Sequence, residues 1–175
     1  MRRTNMLKTL TLLALATIIF SCNSNPKKES VENKKAEIIP IVDFDGAKPL
    51  LHKDSDTLYV VNFWATWCAP CVKEIPYFEQ IAKEFTNRKL KVILINLDFP
   101  NHYESRLIPF VEENGIKSSI VMLDDPDANR WINEINTGWS GSIPATLMYN
   151  RHERRFFEQE FTYDELKNAV TSFDF

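Results

Sequence analysis

Apolar and polar positions divide this chain of 175 residues into three stretches. Behind the cations Arg2, Arg3 and Lys8, Leu10 to Phe20 is a run of apolar and Thr residues. Its length suits the h-region of an export signal and is too short for a permanent membrane span. Asn23 to Glu37, "NSNPKKESVENKKAE", is polar, of mixed charge and nearly free of large apolar side chains, the composition of a flexible tether. From Ile38 onward, strand-like and helix-like patterns alternate. "LYVVNF" (residues 58–63) and "LKVILINL" (90–97) are apolar, β-branched runs of buried central strands. Between them, Val72, Ile75, Phe78, Ile81, Ala82 and Phe85 recur at the three-and-four spacing of a helix over 69–85 that lays one face on a sheet. Strand, helix and strand in this order predict a βαβ unit.

Further along, residues 101–114 read as a helix interrupted near Pro109 and closed by Gly115. Residues 119–123 read as a short strand, and Asp125-Pro126-Asp127 as the start of a helix through Ile135. Residues 145–149 and 154–160 form a predicted hairpin around "NRHER", followed by a helix over 162–173 with Leu166, Ala169, Val170 and Phe173 inward. Asp125-x-Asp127-x-Asn129 echoes a calcium loop, but the required glycine is missing and Asn136 stands where a bidentate Glu is needed, so capping is the reading.

Composition narrows the function. The net charge of −3 and the lack of a long basic run argue against a nucleic-acid partner. Ile19-Phe20-Ser21-Cys22 is similar to the lipobox of bacterial lipoproteins, with the bulky Phe20 a departure from its tightest form. That resemblance implies cleavage before Cys22 and a lipid on its thiol; an ordinary secretory signal with a chance cysteine is the plainer alternative. The residues around Arg2-Arg3 fit a twin-arginine signal poorly, which favours the general secretory route. Residues 1–21 are then a removed leader, 22–37 a lipidated linker, and 38–175 one domain of ordinary size. Export also places the protein where disulfides persist.

Cys68 and Cys71 remain, three residues apart in "WATWCAPCVKEIP". As a staple the pair is weak, because crosslink stabilisation grows with the loop closed. As a zinc site it supplies two of about four ligands, and His52, His102 and His152 are scattered one by one; no metal is expected. Cys68 directly follows an apolar strand and opens a helix, where unpaired N–H groups and the helix dipole favour the thiolate that attacks in disulfide exchange. Cys71, one turn further in, is placed to resolve the mixed disulfide. Pro70 lies in the first turn, where its missing N–H costs nothing.

"VVNFWATWCAPCVKEIPYFEQIAKEF" resembles the active-site strand and helix of the thioredoxin superfamily, in its TlpA/ResA-like branch of exported, membrane-tethered thiol-disulfide oxidoreductases. "GSIPAT" (141–146) is a second point of likeness. The resemblance implies an α/β thioredoxin fold, a central mixed sheet flanked by helices, over residues 38–173. It implies Cys68 as nucleophile, Cys71 as resolving cysteine and Glu74 as a proton carrier, with a surface helix residue as the plainer alternative for Glu74. Thioredoxin keeps a buried aspartate beneath the pair; Asn62 stands there and cannot titrate, which shifts that task to Glu74. Pro76 matches a helix-kinking proline. Ile143-Pro144 matches the cis-proline loop that offers backbone groups to an extended substrate. Trp64 is expected in the core and Trp67 beside the site. Trp139, in the Gly-rich "GWSG" that is more flexible and more aromatic than the family's usual loop, is a candidate to line the substrate groove, with packing as its alternative.

The function implied is reduction of disulfides in exported proteins, fed by a membrane electron donor, without a dissociable cofactor, at the bacterial cell envelope. Two rivals stand beside it. A peroxide reductase of the same fold would need P-x-x-x-[ST]-x-x-C around its cysteine, which is absent, since Pro76 follows the pair. A tethered binding or assembly module would keep the cysteines idle.

Overall fold

The computed structural model describes residues 38–175; the segments read as signal and tether, and Cys22 with its expected lipid, lie outside the described residues. Six strands, β1 (Ile41–Val42), β2 (Leu58–Trp64), β3 (Leu90–Asn96), β4 (Ser119–Leu123), β5 (Ala145–Tyr149) and β6 (Arg154–Phe157), form one sheet in the order β1-β4-β3-β2-β5-β6. β1 to β4 pair in parallel, whereas β5 is antiparallel to both β2 and β6. The two strands expected at the centre are the central two. The sheet is that of the thioredoxin fold.

Alternation along β2 sorts the interior into two cores, because successive side chains of a strand point to opposite faces. Leu58, Val60 and Trp64 meet Cys71, Ile75, Phe78 and Ile81 of α2 (Ala69–Glu84), together with Leu166 and Val170 of the last helix, α5 (Tyr163–Thr171). Tyr59, Val61 and Phe63 face the other way. There they join Phe44 of α1 (Phe44–Ala47), Trp131 and Ile135 of α4 (Ala128–Ile135), and Trp139. Asn62 falls on the α2 face, so a polar side chain is carried into an apolar layer.

Two expectations need correction, and two short elements were not anticipated. Residues 101–114 are not one interrupted helix: a 3-10 turn (Pro100–His102) and a π turn (Tyr103–Leu107) precede a short α3, Ile108–Glu113. Pro100 and Pro109 each lack an N–H and so restart the chain in a new helical register. The exit of α3 does follow the sequence. Gly115 has φ +59, its N–H donates to Glu112 O and that of Ile116 to Val111 O, a Schellman closure. Second, β6 ends at Phe157 instead of running to Glu160, because the chain leaves the edge where Glu158 turns to the Ser140–Ser142 loop. The unanticipated β1 and α1 carried no periodic signal, being two and four residues long. α4 starts as expected, with Asp127 accepting from Arg130 N–H. α5 opens with a capping box between Thr162 and Glu165. Among the described residues no helix is long and apolar enough to cross a membrane.

Candidate active site

Parallel pairing of β2 with β3 and antiparallel pairing with β5 bring three strand ends to one edge. Trp64 opposes Asn96, and Phe63 opposes Ala145. The segment after β2 therefore emerges between the loop after β3 and the loop before β5. Cys68 ends that segment as the N-cap of α2, and its Sγ accepts from Cys71 N–H at 3.3 Å. The pair is joined as a disulfide. Cys71 is fully buried, whereas Cys68 retains a little exposure at the rim. α2 continues unbroken across Pro76.

On the β5 side, the Ile143–Pro144 bond is cis, and Ile143 O lies 3.7 Å from Cys68 Sγ. Ile143 is half-buried and Pro144 buried. Trp67 is 51% exposed next to Cys68 in sequence, while Trp64 is buried. Trp139 corrects the groove expectation. It is 5% exposed, packs against Phe63, Trp131 and Phe156, and donates its indole N–H to Ser142 O at 2.8 Å. It supports the cis-proline loop from inside the second core. Nor is this Gly-rich segment loose, since the Glu158 carboxylate accepts from the Ser140 and Ser142 N–H groups and from the Ser140 hydroxyl.

Glu74 is not a surface residue. It is fully buried on the inner face of α2, one turn beyond Cys71. One carboxylate oxygen accepts from Asn62 Nδ2 at 2.8 Å and the other from Phe161 N–H at 2.8 Å. Asn62 also donates to Thr146 Oγ1 at 3.1 Å, its cross-strand partner on β5. Burial pushes the Glu74 carboxyl up to about 7, against the opposing pull of the Phe161 and Asn62 bonds. Asn62 Oδ1 is buried without a partner. Rotating the amide by half a turn would present that oxygen to a protonated Glu74, so one Asn can serve both states of the acid.

Sequence reasoning missed Thr146, the Phe161 amide and, on the β3 side, Asp98. Asp98 is buried and accepts from Thr66 N–H at 2.9 Å, tying the approach to Cys68 to the loop after β3. A carboxylate two residues past the strand partner of Trp64 is the signal that could have found it. Among the described residues no group of three His, Cys, Asp or Glu side chains is placed to hold a metal ion.

Known proteins share part of this sequence and its fold. Thiol-disulfide oxidoreductase ResA of Bacillus thuringiensis is 27% identical over 125 residues, 71% of this chain and 67% of that protein. ResA of Halalkalibacterium halodurans is 28% identical over 92 residues, 53% of this chain. The match spans 47%, about half, of that relative's length. Among solved structures, a thiol:disulfide interchange protein of the thioredoxin family from Chlorobium tepidum superposes with a TM-score of 0.58 at 22% identity, covering 72% of this chain and 83% of that one. The model of the AhpC/TSA family matches residues 28–153, well over half of the sequence, and the chain belongs to that family.

Proposed function

We propose that the protein is an exported thiol-disulfide oxidoreductase, tethered by lipid on Cys22, that reduces disulfides of other exported proteins with electrons from a membrane donor. The names of the ResA relatives support the reaction class. The observation that carries the reading is the Cys68 sulfur, held by the Cys71 amide at the N-terminus of α2 beside the Ile143 carbonyl, with buried Glu74 one turn behind Cys71.

In the reduced chain the Cys68 thiolate attacks one sulfur of a substrate disulfide; that bond breaks, a mixed disulfide forms, and the leaving thiolate takes a proton from water. Cys71 then loses its proton and attacks Cys68 Sγ. The second substrate thiol departs, and the Cys68–Cys71 disulfide remains, two electrons having passed to the substrate. A carboxyl near 7 at neutral pH is suited to take the Cys71 proton and return it. No dissociable cofactor enters.

The test is the reduction potential of the full chain in mild detergent, equilibrated in thiol redox buffers and followed by tryptophan fluorescence. A value near or below about −270 mV supports a reductase, and one approaching about −120 mV reverses the direction. Absence of any reversible two-electron transition would leave the idle-cysteine binding module in its place.

A further inference from the structure

Of the described residues, four large hydrophobic side chains are exposed: Ile38, Ile41, Trp67 and Phe99. Two of the four lie at the catalytic edge. Phe99, 63% exposed, follows Asp98 in the loop after β3, and Trp67 follows Thr66 in the loop after β2. The Thr66–Asp98 hydrogen bond and the Leu97 N–H to Trp64 O bond at 2.8 Å lock these two loops side by side.

Phe99 is also fixed locally. Its backbone is extended ahead of Pro100 (φ −69, ψ 144), its carbonyl accepts from His102 N–H at 2.8 Å, and its ring meets the His102 ring edge to face at 5.9 Å. A rigid aromatic held out into water loses little freedom on binding a partner, which is the usual economy of recognition surfaces.

We propose that Phe99, with Trp67, forms the apolar wall of a substrate subsite that selects disulfides whose cysteine has a large apolar neighbour in sequence. The inference rests on the oxidoreductase reading and deepens it. Strand order selects the occupant. The Cys68 segment emerges between the Phe99 loop and the Ile143–Pro144 loop, so a chain lying across both passes over the Cys68 sulfur. An extended polypeptide fits that path: its cysteine meets Cys68, its backbone meets the cis-proline loop, and the side chain beside the cysteine reaches Phe99. Such segments are exposed in unfolded or incompletely folded exported proteins, where apolar neighbours are still accessible.

The experiment uses the reduced full chain in mild detergent and two symmetric peptide disulfides, identical except for Leu or Ser beside the cysteine. Peptide thiol release gives the rate of each. Wild type is expected to favour the Leu peptide by about tenfold, the effect of partly burying one Leu side chain. Phe99→Ser should level the two rates by slowing the Leu peptide, and Phe99→Leu should restore the preference. The reduction potential and the rate with hydroxyethyl disulfide, too small to reach Phe99, should stay unchanged in both variants. Equal rates in wild type, or a preference that survives Phe99→Ser, overturn the subsite while leaving the exchange reaction intact. A concentration-dependent dimer that Phe99→Ser dissolves, with peptide preference unmoved, overturns it in favour of a second copy of the chain. Failure of wild type to exchange with any disulfide overturns the oxidoreductase reading itself, and the subsite with it.

Discussion

Glu74 offers the sharpest quantitative test, because it is an acid buried in an apolar layer with a neutral donor on each oxygen, Asn62 Nδ2 and the Phe161 N–H. Its folded pKa of about 7 lies above the ordinary 4.5, so the folded state holds the proton more tightly than the unfolded state. The associated stability is fully present below about pH 4.5 and is lost as pH rises through about 7. At about 1.4 kcal/mol per unit, that rise corresponds to about 3 kcal/mol between about pH 4.5 and about pH 8. Replacing Glu74 with Gln removes the titration and keeps the volume. The measurement is urea unfolding of the oxidised protein, in which neither Cys68 nor Cys71 can titrate, across that window for both chains. The wild-type curve should fall by about 3 kcal/mol relative to the variant. Parallel curves would refute the account, for they would mean that the carboxyl titrates as though solvated.

Other consequences are open to simple measurement. Cys71→Ser should accumulate a mixed disulfide on Cys68 that a reductant releases, seen as a mass increment, whereas Cys68→Ser should form none. Trp139→Phe should lose the indole bond to Ser142 O at a cost of about 1 kcal/mol in chemical denaturation, and Trp139→Ala about 3–5 kcal/mol through the cavity it leaves. Asp98→Ala strands the Thr66 N–H and should cost about 1–3 kcal/mol, whereas Asp98→Asn, which keeps an acceptor, should cost less. Thr162→Ala removes half of the capping box of α5, and the melting curve should report about 1 kcal/mol.

Much of the frame was legible because it rests on short-range physics. β2, α2 and β3 are long enough for period and composition to speak, and the cysteines fall at a strand-to-helix junction whose electrostatics can be reasoned without coordinates. β1 escaped notice because two residues hold no period; its pairing of Ile41 with Met122 depends on an edge that only the folded sheet supplies. Residues 100–107 were misread because apolar spacing does not separate α from π or 3-10 turns when two prolines set the register. Trp139, left between groove and packing, falls to packing for a different reason. Its Gly-rich surroundings read as loose, yet Glu158 and the Ser142 carbonyl bind the segment from opposite sides.

The chemistry of the site lies at long range, which is why Glu74 could be named but its partners could not. Asn62 is 12 residues from Glu74, Thr146 is 84 from Asn62, and the Phe161 amide is 87 from Glu74. None of these separations has a period. What joins them is the strand order: β5 inserted antiparallel beside β2 sets Thr146 opposite Asn62, and the departure of the chain from β6 after Phe157 carries the Phe161 amide over α2. The same order brings the loop after β3 against the approach to Cys68 and sets Phe99 at the catalytic edge. Once β3-β2-β5 is known, Asp98, Phe99 and Thr146 follow from counting residues past Asn96 and Pro144. Before it is known, each is an ordinary residue near the end of a strand. The information that separates a buried glutamate from a surface one here is therefore topological, and it enters when the sheet assigns neighbours to β2.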